Sequence, residues 1–185
     1  MSRTPRVMIL CGRSARHLYL ANRLCRACEP LAIVHEQDVW DAGKLRKLFQ
    51  PKLLWSKGWR WLRDRRRYTG NPEAKFFFGQ QQPRLERPEL VREFPGINDP
   101  GLVALADELQ PDIIAVFGTS LIKSPLLTRG RLGMVNLHGG LSPQYRGADC
   151  SFWALHNGEP DKVGCTLHYI DPGIDTGTLI AHVCP

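Results

Sequence analysis

The sequence predicts an α/β protein: an open, mostly parallel sheet with helices on both faces. Three observations carry that expectation. Short continuous apolar runs, such as Val7–Cys11 and Ile113–Phe117, have the length and composition of strands buried on both faces. The segments between several of them carry apolar residues at helical spacing. Alternation of strand and helix along a chain argues for parallel strands joined by right-handed crossovers. With 185 residues, 43% hydrophobic and 23% charged, the chain is long enough for one domain with a two- or three-layer core, and we assign residues 1–185 to it. These fractions exclude wholesale disorder, a collagen-like repeat and a bundle of membrane helices.

Arg6–Cys11 is the first strand, ended by Gly12, and Ala15–Cys28 the first helix, with Leu18, Ala21, Asn22 and Cys25 on one face. Leu31–His35 completes a βαβ unit. Residues 41–88 form an excursion, read as helix from Asp41 to Tyr68 with a break at Pro51, then as irregular chain from Thr69 to Pro88 around Gly70, Pro72, Gly79 and Pro83. Strand spacing resumes at Val91–Phe94. Asn98-Asp-Pro100 then starts a helix through Leu109, with Pro100 suited to its first turn. Ile113–Phe117 and Gly133–His138 are further strands, with a short helical stretch at Pro125–Thr128 between them. Asp149–Asn157 reads as a helix, Val163–Ile170 as a strand, Pro172–Gly177 as a tight turn and Leu179–Val183 as the last strand.

Ten of the 25 basic residues lie between Lys44 and Arg67, against the single acid Asp64, and the net charge is +7. Such a run grips phosphates electrostatically, or else forms the solvated side of a helix whose Leu45, Leu48, Phe49, Trp55, Trp59 and Leu62 are buried. The six cysteines are read as reduced. Cys25 and Cys28 form a CxxC pair inside a helix, with no second pair at zinc-ribbon spacing, so no metal site is assigned. No apolar stretch approaches the roughly 20 residues that span a bilayer, and Val7–Cys11 is shorter than a signal-peptide core, so a cytoplasmic location without membrane partners is expected.

The chemistry concentrates after residue 135. Asn136 and His138 sit two apart at the end of a strand, on the same face, where α/β sheets open their ligand crevice. Asn136-Leu-His-Gly-Gly-Leu-Ser-Pro-Gln-Tyr-Arg-Gly147, then Phe152-Trp-Ala-Leu-His-Asn-Gly-Glu159, then Gly164-Cys-Thr-Leu-His-Tyr-Ile-Asp-Pro-Gly-Ile-Asp-Thr-Gly177, resembles the catalytic domain of the folate-dependent formyltransferases. In motif the chain is most similar to the nucleotide-sugar N-formyltransferases.

The resemblance implies a Rossmann-like fold and 10-formyltetrahydrofolate as formyl donor. It also implies catalytic roles for Asn136, His138 and Asp175, the last 37 residues after the histidine, with no metal. Donor contacts would fall on Gly118, Ser120, Leu121, Ile122 and Lys123, and on Ile170, Asp171 and Ile174. Independently of the resemblance, Arg13, Ser14 and Arg16 at a helix start are suited to an anion, and with Arg146 they are the expected acceptor contacts. These residue types suit the reaction. Amine attack on a formyl carbon creates an oxyanion, which an amide and an imidazolium can stabilise, while a carboxylate supports the charged imidazole and takes up the amine's proton.

The expected acceptor is a small-molecule primary amine bearing phosphate, an amino-sugar nucleotide first. That choice is by elimination, since initiator-tRNA enzymes of the family carry a further C-terminal domain for which the chain to Pro185 leaves no room; the family's sheet continues past this point, so truncation at the C-terminus is also an expectation. The alternatives are methionyl-tRNA or another formyl acceptor, water as in formyltetrahydrofolate hydrolysis, and a non-catalytic folate- or RNA-binding module. A homo-oligomer is compatible with the sequence. Two departures stand out. Gly140 occupies a position where the family commonly has serine, and the first turn, Cys11-Gly-Arg-Ser-Ala-Arg16, lacks both the GxGxxG of dinucleotide sites and the phosphate turn of the ribonucleotide enzymes. Histidines 17, 35, 156, 168 and 182 are expected to be structural or on the surface.

If the basic run holds the acceptor's phosphates, neutralising Arg65, Arg66 and Arg67 together raises the acceptor's KM and leaves that of the folate unchanged. Charges more than about 8 Å from a phosphate are screened at physiological salt, so a direct contact persists at moderate salt and a general surface field does not. An unchanged acceptor constant would identify a solvated face, and a change confined to the folate would assign the run to a polyglutamate tail.

Overall fold

The computed structural model describes residues 3–37 and 71–184, together with Trp55, Gly58, Trp59 and Leu62. Apart from those four positions, the basic run Lys44–Arg67 lies outside the described residues.

Seven strands form one sheet: β1 (Arg6–Cys11), β2 (Glu29–Glu36), β3 (Val91–Phe94), β4 (Ile113–Phe117), β5 (Met134–His138), β6 (Cys165–Tyr169) and β7 (Leu179–Val183). Their order is β3-β2-β1-β4-β5-β6-β7. The pairings from β3 to β5 are parallel, whereas β5–β6 and β6–β7 are antiparallel. The described helices are α1 (Ala15–Ala27), α2 (Pro72–Phe78), α3 (Pro100–Leu109) and α4 (Cys150–His156). The expected open, mostly parallel sheet is the observed one.

Alternation along the central strands divides the core into two layers. Met8 and Leu10 of β1, Ala32 and Val34 of β2, and Ile114 and Val116 of β4 pack with Leu102 and Ala106 of α3. Val7, Ile9 and Cys11, with Ile33 and Phe117, face the other way onto Ala21 of α1. Helices therefore cover both faces, and the strands between them read as unbroken apolar runs because neither face meets water. Asp99 caps α3 by accepting from the Gly101 N–H at 2.8 Å, and Pro100 takes the first helical position, where a missing N–H costs nothing.

Two expectations are corrected. The stretch from Thr69 to Pro88, read as irregular, contains α2. Its seven residues bury none of their side chains, so no apolar stripe announces it. What makes it a helix is local: Asn71 accepts from the Ala74 N–H at 3.1 Å, Pro72 starts the first turn, and Gly79 ends it at φ +62°. Phe77 and Phe78 then meet Tyr19 of α1, with ring centroids 5.1 and 6.2 Å apart. Trp55, Trp59 and Leu62, expected on a buried helix face, are exposed. Helical spacing aligns apolar side chains without supplying a surface to bury them.

Leu102 is fully buried in the layer beneath α3. Leu102→Ala should lower stability by about 2–5 kcal/mol, read as a reduced denaturant midpoint with an unchanged m-value.

Candidate active site

The strand order reverses between β1 and β4, and the carboxyl ends of β1, β4 and β5 form one rim. Ligands of open α/β sheets bind at such a rim. Asn136 and His138 leave β5 on the same face, as their spacing predicts. β6 returns antiparallel, setting His168 opposite Asn136. The loop after β6 then brings Asp175 back over the end of β5.

Asp175 is the centre of this arrangement, with its side chain only 12% exposed. Its Oδ1 accepts from Asn136 Nδ2 at 3.3 Å and its Oδ2 from the Gly147 N–H at 2.9 Å. Oδ2 lies 3.4 Å from His138 Nδ1, and Oδ1 lies 3.5 Å from His168 Nε2. A carboxylate largely removed from water needs hydrogen-bond donors for its oxygens, and these groups surround both of them. Its backbone has φ +50°, a left-handed conformation that favours Asn, Asp and Gly and that a β-branched residue strongly resists. Strain of this kind persists only where the surroundings impose it.

Hydrogen positions follow from the partners. His168 Nδ1 lies 2.7 Å from the Tyr169 carbonyl oxygen, which only accepts, so Nδ1 carries a proton. In the neutral ring Nε2 then accepts from Asn136 Nδ2, 3.1 Å away. Both amide hydrogens of Asn136 are thus engaged, one by Asp175 and one by His168. His138 Nε2 lies 3.1 Å from the Tyr145 carbonyl oxygen and 3.4 Å from Cys150 Sγ. An acceptor oxygen thus faces each of its nitrogens.

The absence of a side chain at Gly140 is required by this packing. A Cβ there would stand 2.5 Å from the Cβ of Cys150, 2.7 Å from its sulfur and 2.8 Å from His138 Nε2. The thiol fills the space that a serine at this position would need.

His168 and Cys150 are the contributions that sequence reasoning missed. His168 was expected to be structural or on the surface, and only the antiparallel return of β6 brings it to Asp175. Cys150 opens α4 and is buried. Burial, with the negative charges of Asp175 and Asp149, pushes its thiol above the ordinary cysteine range, so it is a neutral S–H near neutral pH. Asp171, expected among the donor contacts, holds its own turn, accepting from the Gly173 N–H at 3.0 Å and the Thr176 hydroxyl at 2.6 Å.

The other expected contacts are scattered around the rim. Gly118 turns the chain after β4 at φ +68°, and a Cβ there would meet His17, whose ring lies over Gly12 and Gly118 at the ends of β1 and β4. Ser120 N–H donates to Glu36 Oε2 at 2.8 Å, and Lys123 N–H to Asn98 Oδ1 at 2.7 Å, which fixes the loop between them. Leu121 is exposed, whereas Ile122 is buried in the α3 layer. Ile170 packs against that same layer and Ile174 is exposed. Arg146 is exposed beside Gly147.

The first βα turn is neutralised from within the chain. Arg13 pairs with Glu93 at 2.9 Å. At the start of α1, the Arg16 N–H donates to Glu73 Oε1 at 2.7 Å, so a carboxylate already occupies the place of an external anion. Ser14 Oγ has no hydrogen-bond partner among the described residues. A cavity of about 410 Å³ lies at the opposite end of the sheet, lined by Arg6, Asp107, Asp112, Arg129 and Arg131. Two ion pairs, Arg131–Asp112 at 2.8 Å and Arg129–Asp107 at 2.6 Å, cross it, and it contains none of the groups described above.

The left-handed backbone at Asp175 gives a test free of any activity. Asp175→Asn should fold with a Tm close to that of the parent, because Asn tolerates this conformation. Asp175→Val should melt several degrees lower, since a β-branched side chain does not. Equal melting temperatures would contradict the strain.

Comparison with known proteins assigns the family and the fold. The formyl transferase family model matches residues 65–184. A methionyl-tRNA formyltransferase of Chlorobium chlorochromatii is 37% identical over 90 residues, covering 49% of this chain and 28% of the relative. That of Syntrophus aciditrophicus is 41% identical over 92 residues, covering 49% and 29%. The chain thus spans less than a third of these relatives' length. Among solved structures, glycinamide ribonucleotide transformylase 1 from Symbiobacterium toebii superposes with a TM-score of 0.57 at 21% identity, over 99% of this chain and 74% of that one. A formyltetrahydrofolate deformylase from Pseudomonas syringae pv. tomato gives 0.56 at 17% identity, over 98% and 51%. At such identities these likenesses establish the fold alone. The family match extends over most of the chain, including β5, β6 and the Asp175 loop, and on it the chain belongs to the formyl transferase family.

Proposed function

We propose that this chain transfers a formyl group from 10-formyltetrahydrofolate to a primary amine. One observation carries the reading: a single buried carboxylate, Asp175, is shared by Asn136 and His138 at the carboxyl end of β5, in a chain of this family. The amine attacks the formyl carbon and the carbonyl oxygen takes up negative charge. His138, between Asp175 and the Tyr145 carbonyl, is placed to stabilise that charge in its imidazolium form. Asn136 assists by releasing one of its two engaged hydrogens to the oxyanion. As the intermediate collapses, a proton passes from the attacking nitrogen to N10 of the departing folate, with Asp175 and His138 as the groups able to carry it. Atoms balance: N10–CHO and R–NH2 become N10–H and R–NH–CHO.

The exposed Leu121, on a loop pinned by Glu36 and Asn98, offers an apolar surface for the pterin, and Ile174 of the Asp175 loop is exposed as well. The acceptor is the finer question. Sequence similarity of 37–41% to proteins named methionyl-tRNA formyltransferase puts the aminoacyl end of a charged tRNA first. That choice replaces the amino-sugar nucleotide suggested by motif alone. The internal neutralisation of Arg13 and Arg16 weakens the case for a phosphate at the start of α1.

The test is incubation with 10-formyltetrahydrofolate and, in turn, methionyl-tRNA, glycinamide ribonucleotide, an amino-sugar nucleotide or no amine, following release of tetrahydrofolate. Amine-dependent release is expected. His138→Ala and Asp175→Asn should each reduce it about 100- to 1,000-fold, and Asn136→Ala somewhat less because water replaces one donor in part. Release independent of amine would indicate hydrolysis, and near-parental turnover in either of the first two variants would remove the assignment.

A further inference from the structure

Among the described residues, every group that faces a nitrogen of His138 is an acceptor, with one exception. Nδ1 faces the Asp175 carboxylate at 3.4 Å, and Nε2 faces the Tyr145 carbonyl oxygen at 3.1 Å. The exception is the thiol of Cys150, 3.4 Å from Nε2 and also 3.4 Å from the Gly147 carbonyl oxygen. A protonated His138 satisfies both acceptors. A neutral His138 must point a lone pair at one of them, and the less costly choice keeps Nδ1–H on the carboxylate and bares Nε2. That bared lone pair needs a donor, and among the described residues only the S–H of Cys150 is within reach.

We propose that Cys150 is a positioning residue for the reaction, a thiol that turns with the protonation state of His138. With His138 charged, S–H donates to the Gly147 carbonyl oxygen, and the sulfur lies beside Nε2–H as a weak acceptor. With His138 neutral, the S–H rotates about the Cβ–Sγ bond and donates to Nε2. No proton leaves the sulfur in either state. The hydrogen bond to the neutral ring makes it easier for His138 to pass its proton on, and fixes the Nδ1–H tautomer against Asp175.

Two features of the structure support this. Gly140 lacks the side chain that would displace the thiol, so the contact between Cys150 and His138 depends on the glycine. Burial and the nearby charges of Asp175 and Asp149 keep the thiol protonated, as a donor must be. The remaining titratable group against the imidazole is His168 of β6, whose ring centroid lies 6.4 Å away at an edge-on angle. Its Nδ1–H is committed to the Tyr169 carbonyl and its Nε2 to Asn136, so it offers no donor to His138.

The catalytic consequence rests on the formyl-transfer reading; the hydrogen-bond switch does not, and the experiment separates them. Nitrogen-15 NMR of the histidine rings in the full chain reports the imidazolium fraction and tautomer of His138 at fixed pH near neutrality. Removing the donor to the neutral form favours the charged form. Cys150→Ala should therefore raise the ratio of imidazolium to imidazole about two- to five-fold, as expected for one weak hydrogen bond. Cys150→Ser, which restores a donor, should return the ratio to the parental value or below. In the formyl-transfer assay the basic limb of the pH–rate profile, where the imidazolium is lost, should move to higher pH in Cys150→Ala and move back in Cys150→Ser. An unchanged ratio in Cys150→Ala, or a Cys150→Ser that behaves like Cys150→Ala, would overturn the proposal. The expected NMR shifts without formyl transfer in any variant would sustain the switch and reject the reaction. Should Cys150→Ala fold poorly, the serine variant decides alone: a ratio above the parental one would refute the switch.

Discussion

The burial of one carboxylate organises the site. Asp175 is largely removed from water, and polar oxygens there are tenable only if they are given donors. Those donors come from distant parts of the chain: an amide at the end of β5, a backbone N–H in the loop that follows, and the edge of an imidazole. Each would drift without the others. The left-handed backbone at Asp175 is a local cost that these contacts offset together. In this sense the site and the loop conformations around it are one cooperative unit.

That unit exists because the sheet changes direction. Parallel strands from β3 to β5 align their carboxyl ends and place Asn136 and His138 at a rim. A further parallel strand would have left its opposite end there. By running antiparallel, β6 brings the imidazole of His168 level with Asn136, and the loop that follows is short enough to return Asp175 to the same point. Strand β7 then pairs with β6, with all five of its residues exposed. The reversal after β5 thus connects the topology of the sheet with the chemistry at its edge.

Charge shows the same economy. The first βα turn presents Arg13 and Arg16 at a helix start, an arrangement that invites an anion. Here Glu73 from α2 and Glu93 from β3 answer it from within the chain. Exposed pairs of this sort contribute little stability, roughly 0–1 kcal/mol each. Their effect is local: the backbone N–H at the start of α1 and the guanidinium of Arg13 each meet a carboxylate of the chain.

The sequence by itself determined the sheet, because strands buried on both faces must be apolar throughout and Ile113–Phe117 or Arg6–Cys11 admit no other reading at that length. It also determined the approximate place of the site, since Asn136 and His138 share a face through the two-residue period of a strand, and their motif carried the family and with it Asp175. Helix α2 was hidden because its stability comes from an asparagine cap and aromatic contacts with α1 and not from a buried stripe. His168 and Cys150 were hidden for a related reason. Nothing in a histidine on an alternating strand, or a cysteine opening a helix, says which distant atom it will meet. Only the antiparallel register of β6 and the close approach of α4 to Gly140 decided that, because hydrogen bonds act over about 3 Å and sequence spacing fixes distance only within an element.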